Sequence, residues 1–449
     1  MDSTILQRYD RRVPRYTSYP TAPHFHSGIG ADTYSRWLAA IGDQSPLSLY
    51  FHVPFCHEMC WYCGCHTKIV RRYEPIGGYA ATLADEVKLI GSAITARPPV
   101  THMHWGGGTP TILSVEDFTR IMNTIRGSFL VAPDAEIAVE MDPRTVTQEM
   151  IAGLAKAGMT RASLGVQDFT ERVQTAINRI QPYEMTARVV GWLRDAGISG
   201  VNFDLMYGLP HQTVEDVRRS ADLTAELKAD RVAVFGYAHV PWMKTHQRMI
   251  PEDALPDGTE RFEQAEAAAM RLVENGYRRI GLDHFALPGD AMVEALDAGQ
   301  LHRNFQGYTT DQAQALIGFG ASSIGALPQG YVQNAVPLRA WADAVRHGRP
   351  AVDKGIALSD EDRLRRAVIE RLMCDLRVDL SAECRRYNES ARHFAAELQS
   401  LQPMAEDGLV IIDDDRIEIT EVGQPLMRTV CAVFDTYLAS GAGRHSRAV

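Results

Sequence analysis

Between residues 47 and 237 short apolar runs alternate with longer stretches whose apolar residues recur at helical spacing. LSLYFHV (47–53), THMHW (101–105), AEIAVEM (135–141), RASLGV (161–166), VNFDLMY (201–207) and RVAVFGY (231–237) each predict a strand. Tyr79 to Ile94 predicts a helix, with Leu83, Val87 and Ile90 on one face. A second helix opens at Ser114, with Asp117 three residues on as a capping-box-like partner. Further helices are predicted over Thr147–Ala157, Asp168–Asn178 and Glu184–Ala196, from Thr213, and over Arg261–Asn275. YRRIGL (277–282) is a candidate seventh strand. Strand–helix alternation of this kind implies an α/β fold with a parallel sheet and right-handed crossovers. Six or seven units fit a TIM-like (β/α) barrel, complete or open, whose site is built at the C-terminal ends of the strands.

The pattern changes at both ends. Residues 1–45 precede the first strand, and 46–350 form the barrel segment. Within the first stretch, RRVPRYTSYPTAPHF (11–25, from Arg11 to Phe25) carries three prolines and three aromatic residues and reads as an extended arm. Its aromatic content argues against a disordered tail. Ala31–Ile41 predicts a short helix. Residues 351–449 read as a C-terminal domain that is mainly helical, with helices at 360–374, 390–401 and 423–438. GLVIIDDDRIEIT (408–420) reads as a hairpin, which makes the domain resemble a winged helix. The wing tip is Asp413-Asp414-Asp415 and would repel phosphate, so the module is expected to cover the barrel rather than bind DNA. The last ten residues, SGAGRHSRAV, read as a frayed tail.

Length and composition narrow the class. The chain has 449 residues, 45% apolar and 23% charged, which suits a globular protein of more than one domain. The first residues lack the apolar core of a signal peptide, and no run of about 18 apolar residues predicts a membrane span. The formal net charge of −10 disfavours general nucleic-acid binding. Clustered thiols without a secretion signal point to a reducing cytoplasm.

Four of the seven cysteines fall within ten residues, in YFHVPFCHEMCWYCGC (50–65). Cys56, Cys60 and Cys63 are spaced C-x3-C-x2-C, and Cys65 follows after one glycine. Three thiolates this close can converge on one metal centre, and thiolates suit iron–sulfur clusters or zinc. Structural zinc usually draws paired ligands from distant segments, and no second pair follows; His57 and His66 in the same loop keep zinc open. Cys374, Cys384 and Cys431 are scattered and read as buried or idle thiols. The other chemistry-bearing residues, Gly106–Thr109, Glu140, Gln167, Asp204 and Tyr237-Ala238-His239, all sit at predicted C-terminal strand ends.

With its flanks, the cysteine loop resembles that of radical S-adenosylmethionine (SAM) enzymes. The resemblance extends along nearly the whole chain. PRYTSYPTAPHF, LYFHVPFCHEMCWYCGC, HWGGGTPT, EMDPR, LGVQDF, NFDLMYGLP, GYAHVP, LDHFA, LHRNFQGYTT and GLVIID are similar to the oxygen-independent coproporphyrinogen III oxidase (dehydrogenase) family. The related haem-chaperone-like branch typically lacks the arm, here Arg15-Tyr16-Thr17-Ser18-Tyr19-Pro20, and the fourth cysteine, here Cys65. Phe51 departs from the family, which usually has a smaller aliphatic residue there.

The resemblance implies an open or partial barrel of the radical SAM type. It implies a four-iron four-sulfur cluster on Cys56, Cys60 and Cys63, and two SAM molecules. Carried over by position, SAM contacts fall on Tyr50, Tyr62, Gly107, Gly108, Thr109, Glu140, Gln167, Arg179, Asp204, Ala238 and Ile324. Tyr50, Glu140 and Cys65 are the candidate catalytic residues, while a structural thiol beside the cluster remains the alternative for Cys65. The chemistry suits several of these. Glycines admit close backbone approach, Arg179 can fork onto a carboxylate, and Glu140 and Asp204 can accept from an ammonium or ribose hydroxyls. The implied substrate, coproporphyrinogen III, carries four propionates. Arg15, Arg71, Arg72, Lys244, Arg248 and Arg303 are candidates to face them, although each alone also reads as a solvated charge. Arg15 and Arg303 are preferred because they lie in family-like segments, and Tyr16 and Tyr19 are candidates to cover the macrocycle.

The implied reaction is oxidative decarboxylation of the ring A and B propionates to vinyl groups through a 5′-deoxyadenosyl radical, giving protoporphyrinogen IX. A low-potential donor such as flavodoxin or ferredoxin and an unidentified electron acceptor are implied, with a cytoplasmic monomer expected. The alternatives are a haem-binding, haem-transfer or haem-modifying protein of the same superfamily and, remotely, a zinc protein.

Overall fold

A computed structural model of the chain describes residues 3–438, so the predicted tail at 440–449 lies outside the described residues. The chain forms two compact units. One gathers residues 26–275 and 311–357, and the other residues up to 25, 276–310 and from 358 on. This grouping cuts the chain differently from the arm, barrel and C-terminal segments expected above, because the arm is hydrogen-bonded to residues beyond 400.

In the larger unit the six expected strands form: β1 (Leu47–Val53), β2 (Pro99–Gly107), β3 (Leu130–Met141), β4 (Arg161–Gln167), β5 (Gly200–Tyr207) and β6 (Arg231–Gly236). All pair in parallel with their chain neighbours. The seventh parallel strand is β7 (Ala315–Phe319), which lies beside β1. YRRIGL does not supply it: Arg278–Ile280 turns back at Gly281 (φ 56°) and pairs antiparallel with His284–Ala286. Beyond β7 an antiparallel meander follows, β8 (Ile324–Leu327), β9 (Gly330–Asn334) and β10 (Val352–Ala357). The ten strands run in the linear order β10-β9-β8-β7-β1-β2-β3-β4-β5-β6, so the barrel is open.

Helices return the chain between strands, and their ends carry the expected caps. The Ser114 side chain accepts from the Asp117 N–H, and Thr213 with Asp216 forms a full capping box. The first crossover helix, Glu74–Ala93, buries Leu83, Val87 and Ile90 as the periodicity requires.

Side chains alternate across each strand. Phe51, Trp105, Val139, Leu164 and Phe203 are fully or almost fully buried. Phe51 pairs in register with both Trp105 and Phe319 and stacks between them, at centroid distances of 4.3 and 4.9 Å. The departure from the family's smaller residue is therefore the centre of an aromatic layer across three strands. Tyr50, His52, His104, Gly106, Glu140, Ser163 and Asp204 alternate with that layer and occupy the opposite face.

In the smaller unit the helix Asp360–Asp375 is followed by a three-stranded antiparallel sheet, Arg377–Asp379, Arg416–Ile419 and Val410–Asp413. The winged-helix outline thus gains a third strand. The arm contains a short helix, Ser3–Tyr9, and then runs without α-helix to Phe25. Arg8 and Tyr9 both reach Asp407 at 2.6 Å. Tyr16 donates to Asp435 at 3.0 Å, and the Tyr19 hydroxyl meets that of Thr436 at 3.0 Å. Both rings are buried. These tyrosines, expected to cover a macrocycle, are packing residues of their own unit. Among the described residues no helix is long and apolar enough to cross a membrane.

Emptying the centre of the aromatic layer should be costly. Phe51→Ala is expected to destabilise the larger unit by about 3–5 kcal/mol, and Phe51→Leu by clearly less. Urea denaturation followed by tryptophan fluorescence reads the difference; equal midpoints for the two variants would contradict the stacked layer.

Candidate active site

Parallel register sets the site. Tyr50 lies opposite His104, His52 opposite Gly106, Glu140 opposite Ser163, and Gly165 opposite Asp204. The C-terminal ends of β1 to β5 therefore bring hydroxyl, imidazole, carboxylate and bare glycine together on one edge. A register irregularity between Gly165 and Gln167 leaves Gln167 at φ 70° and changes its aim at the strand end.

Glu140 is held from two sides. The His104 Nε2 lies 2.9 Å from one carboxylate oxygen, and the Gly107 N–H donates to the other at 3.2 Å. Burial pushes this carboxyl up, but the His104 and Gly107 hydrogen bonds outweigh it, and the pKa is held below its ordinary value. Asp204 accepts from the Ser163 hydroxyl at 3.4 Å, its one hydrogen-bond partner among the described residues. Burial, and then the charge of Glu140, push Asp204 up to about 7. The two carboxyls are driven apart in acidity, one ionised and one titrating near neutrality. Tyr50 stacks on His104 at 5.9 Å, and its hydroxyl meets His52 Nδ1 at 2.9 Å. Burial, then the Glu140 charge, raises the Tyr50 pKa well above normal, so it remains a neutral hydroxyl.

The cysteine loop follows β1. Cys56 Sγ lies 3.4 Å from the Thr109 hydroxyl, and the Cys65 N–H donates to Cys63 Sγ at 3.4 Å. Cys60 is buried and receives two guanidinium groups, Arg144 at 3.3 Å and Arg179 at 3.5 Å. Asp142 binds both arginines, at 2.7 and 3.3 Å. Burial raises the Asp142 pKa, but Arg179 and Arg144 more than reverse it. Arg179 also donates to the Gly165 carbonyl at 2.5 Å, and its Nε has no hydrogen-bond partner among the described residues. Hydrogen bonding by Cys65 takes the Cys63 thiol below its ordinary value against the effect of burial, whereas burial pushes Cys56 up to about 11.

Several glycines are dictated by what lies above them. A Cβ on Gly106 would sit 2.6 Å from the Glu140 carboxylate, and one on Gly108 2.6 Å from the Phe55 carbonyl oxygen. Gly107, at φ 114°, occupies backbone space closed to other residues and faces the His52 ring. The remaining expected contacts occur in the same unit. Tyr62 lies in the cysteine loop, and its carbonyl, like that of Ala238, accepts from Gln247 Nε2, at 2.9 and 3.2 Å. Ile324 opens β8. His104, Asp142, Arg144 and Gln247 are the site residues that the sequence reading left without a role.

The basic candidates separate. Arg71, Arg72 and Arg248 are exposed, and Lys244 donates to the Cys65 carbonyl at 3.0 Å. Arg15 and Arg303 belong to the smaller unit. There Arg303 is buried over the Tyr308 ring at 4.4 Å, 3.8 Å from Asp283, and donates to the Arg15 carbonyl at 3.4 Å.

The donor set fits a cluster and an amino-acid-bearing cofactor. Three free thiols lie on one short loop, the cationic pair at Cys60 suits an anionic cluster, and glycines leave backbone open beside a carboxylate. Among the described residues no three His, Cys, Asp or Glu side chains form a group that could hold a single metal ion. Zinc gathers its ligands at about 2.0–2.3 Å from one point, whereas an iron–sulfur cluster takes its thiolates on separate irons.

Asp204 makes a testable prediction. Its folded pKa is raised above the unfolded value, so its contribution is most favourable below about pH 4 and is lost as pH rises through about 7. Asp204→Asn should therefore gain stability relative to the parent between pH 5 and 8, by roughly 1–3 kcal/mol. Urea midpoints across that range test this; a difference that does not change with pH would contradict it.

The Radical SAM superfamily matches residues 50–224, and the HemN C-terminal domain matches residues 358–426. The chain is 52% identical to the oxygen-independent coproporphyrinogen III oxidase of Bradyrhizobium diazoefficiens, covering 98% of each chain. It is 43% identical to that of Paracoccus denitrificans, over 99% of this chain and 98% of the other. The solved structure of coproporphyrinogen III oxidase (HemN) from Escherichia coli, a radical SAM enzyme, superposes with a TM-score of 0.90 at 38% identity, covering 95% of this chain and all of the other. The chain belongs to the oxygen-independent coproporphyrinogen III oxidase family of the radical SAM superfamily, whose chemistry uses a 4Fe–4S cluster and SAM.

Proposed function

We propose that this protein oxidatively decarboxylates the ring A and B propionates of coproporphyrinogen III to vinyl groups, giving protoporphyrinogen IX without O2. The observation that carries the reading is the full-length likeness to enzymes of that name, together with one strand-end edge bearing Cys56, Cys60, Cys63, Glu140 and Asp204. When bound, the cluster and SAM would supply hydrogen-atom abstraction, and the oxidative loss of CO2 from each propionate would also require a one-electron acceptor.

The chain's own residues hold and orient. Cys56, Cys60 and Cys63 are the cluster ligands, and Arg144 and Arg179, themselves held by Asp142, both reach the Cys60 sulfur. Glu140, kept ionised by His104 and Gly107, accepts from an ammonium or ribose hydroxyl of SAM, beside Tyr50. Gly107, Gly108 and Thr109 present backbone to the methionine part. Gln167, Arg179, Asp204, Ala238, Tyr62 and Ile324 complete the contacts for two SAM molecules. Cys65, which donates its N–H to Cys63, acts beside the cluster. For the substrate's propionates we favour Arg15, which is exposed, and Arg303, whose Nε has no hydrogen-bond partner among the described residues. A low-potential electron donor and a cytoplasmic setting complete the reading.

The test is anaerobic. The reconstituted protein with SAM, dithionite and coproporphyrinogen III should yield a product lighter by two CO2 units, and Cys56→Ala, Cys60→Ala or Cys63→Ala should each abolish it. SAM cleavage that leaves coproporphyrinogen untouched, with tight haem binding, would instead support a haem-binding or haem-modifying protein.

A further inference from the structure

Cys60 differs from the other two cluster thiols in what faces its sulfur. Cys56 Sγ has the Thr109 hydroxyl at 3.4 Å and Cys63 Sγ has the Cys65 N–H at 3.4 Å, both uncharged groups. Cys60 Sγ receives two cations, Arg144 Nη2 at 3.3 Å and Arg179 Nη1 at 3.5 Å. Both guanidinium groups are sheltered, their side chains keeping 12% and 7% exposure. Arg179 also donates to the Gly165 carbonyl and is among the SAM contacts proposed above. Arg144 has no part in that set of contacts.

The turn after β3 aims Arg144. Its N–H donates to Asp142 Oδ1 at 3.0 Å, and the N–H groups of Thr145 and Val146 close on the Asp142 carbonyl at 3.1 and 3.2 Å. The guanidinium then folds back on the same carboxylate, with Nε 3.0 Å from Oδ1 and Nη2 2.7 Å from Oδ2. This two-point fork fixes its plane. The Nη2 that binds Asp142 is also the one that reaches Cys60. Arg144 Nη1 donates to the Asn178 carbonyl at 3.5 Å, and Asn178 Nδ2 donates to the carbonyl of Met59, the residue before Cys60, at 2.8 Å. The other acid at Arg144, Glu58, is 3.8 Å away and 71% exposed.

Reduction adds one negative charge to a thiolate-held cluster. A sheltered cation bonded to a ligand sulfur stabilises the more negative state, and local charge and hydrogen bonds to the sulfurs are levers that set such potentials. We propose that Arg144 raises the reduction potential of the cluster through Cys60, and that Asp142, which holds and partly neutralises that guanidinium, limits the rise. In the step they govern, one electron enters the cluster and no bond or proton is exchanged. The inference rests on the cluster ligands proposed above, and the experiment separates the two.

The midpoint potential of the reconstituted full-length protein is measured without SAM, for the parent, Arg144→Gln, Arg144→Lys and Asp142→Asn. Dithionite is titrated in with mediator dyes, and the reduced cluster is quantified by electron paramagnetic resonance. Iron content and melting temperature are taken on the same samples. Arg144→Gln is expected to lower the reduction equilibrium about tenfold, which is about 59 mV for one electron. Arg144→Lys keeps the charge and should recover at least half of that shift. Asp142→Asn should move the midpoint the other way. A residue that only braced the loop would lower iron content or melting temperature in the variants and leave the midpoint where it was. An unchanged midpoint in Arg144→Gln, or shifts of one sign in Arg144→Gln and Asp142→Asn, overturns the proposal. If Arg144→Gln loses the cluster, Asp142→Asn decides: a raised midpoint supports the proposal, and an unchanged or lowered one overturns it. A parent that takes up no reducible four-iron cluster refutes the ligand assignment itself, and the proposal with it.

Discussion

Parallel strand register is the constraint on which the rest of this molecule depends. Five neighbouring strands end along one edge, and their pairing fixes which side chains share it. Tyr50 meets His104, Glu140 meets Ser163, and Gly165 meets Asp204 because β1 to β5 pair residue for residue up to that edge. A slip of one residue would turn Glu140 and Asp204 into the helix-covered layer and turn Trp105 and Phe203 out of it. The aromatic stack of Phe319, Phe51 and Trp105 makes such a slip expensive, because it locks three adjacent strands on the buried face. Core packing on one side of the sheet thereby sets the geometry of the chemistry on the other.

Within that frame, charge is distributed unevenly. Glu140 is stabilised as an anion by an imidazole and a backbone N–H, while Asp204 has one hydroxyl among the described residues and is disfavoured as an anion by burial and by Glu140. Asp142 counters two arginines that together approach the Cys60 sulfur. The edge therefore offers an anionic side for an ammonium or ribose and a cationic side for thiolates.

Much of this was legible in the sequence. Strands with one face wholly buried keep large apolar residues at alternate positions, so β1 to β6 stand out. The meander β8 to β10 does not, because glycines interrupt it where backbones touch. A Cβ on Gly325 would sit 3.1 Å from the Leu316 carbonyl oxygen, and one on Gly355 would run into the Tyr331 carbonyl oxygen. YRRIGL has strand composition, but Gly281 turns it into a hairpin. The arm's role was hidden because its partners, Asp407, Asp435 and Thr436, lie some 400 residues away. At the site, cysteines and glycines carry local spacing signals. The His104–Glu140 pair and the double use of Asp142 depend on which strands become neighbours, and no local pattern announces them.

The central claim is that one strand edge holds the cluster and SAM together, with Glu140 above an obligatory glycine. Electron paramagnetic resonance of the reduced, reconstituted protein with and without SAM tests it most directly. SAM is expected to shift the cluster signal in the parent, and Gly106→Val, whose side chain would occupy the space of the Glu140 carboxylate, should retain the cluster but lose the shift. A parent signal that ignores SAM, or a variant that responds as the parent does, would contradict the account.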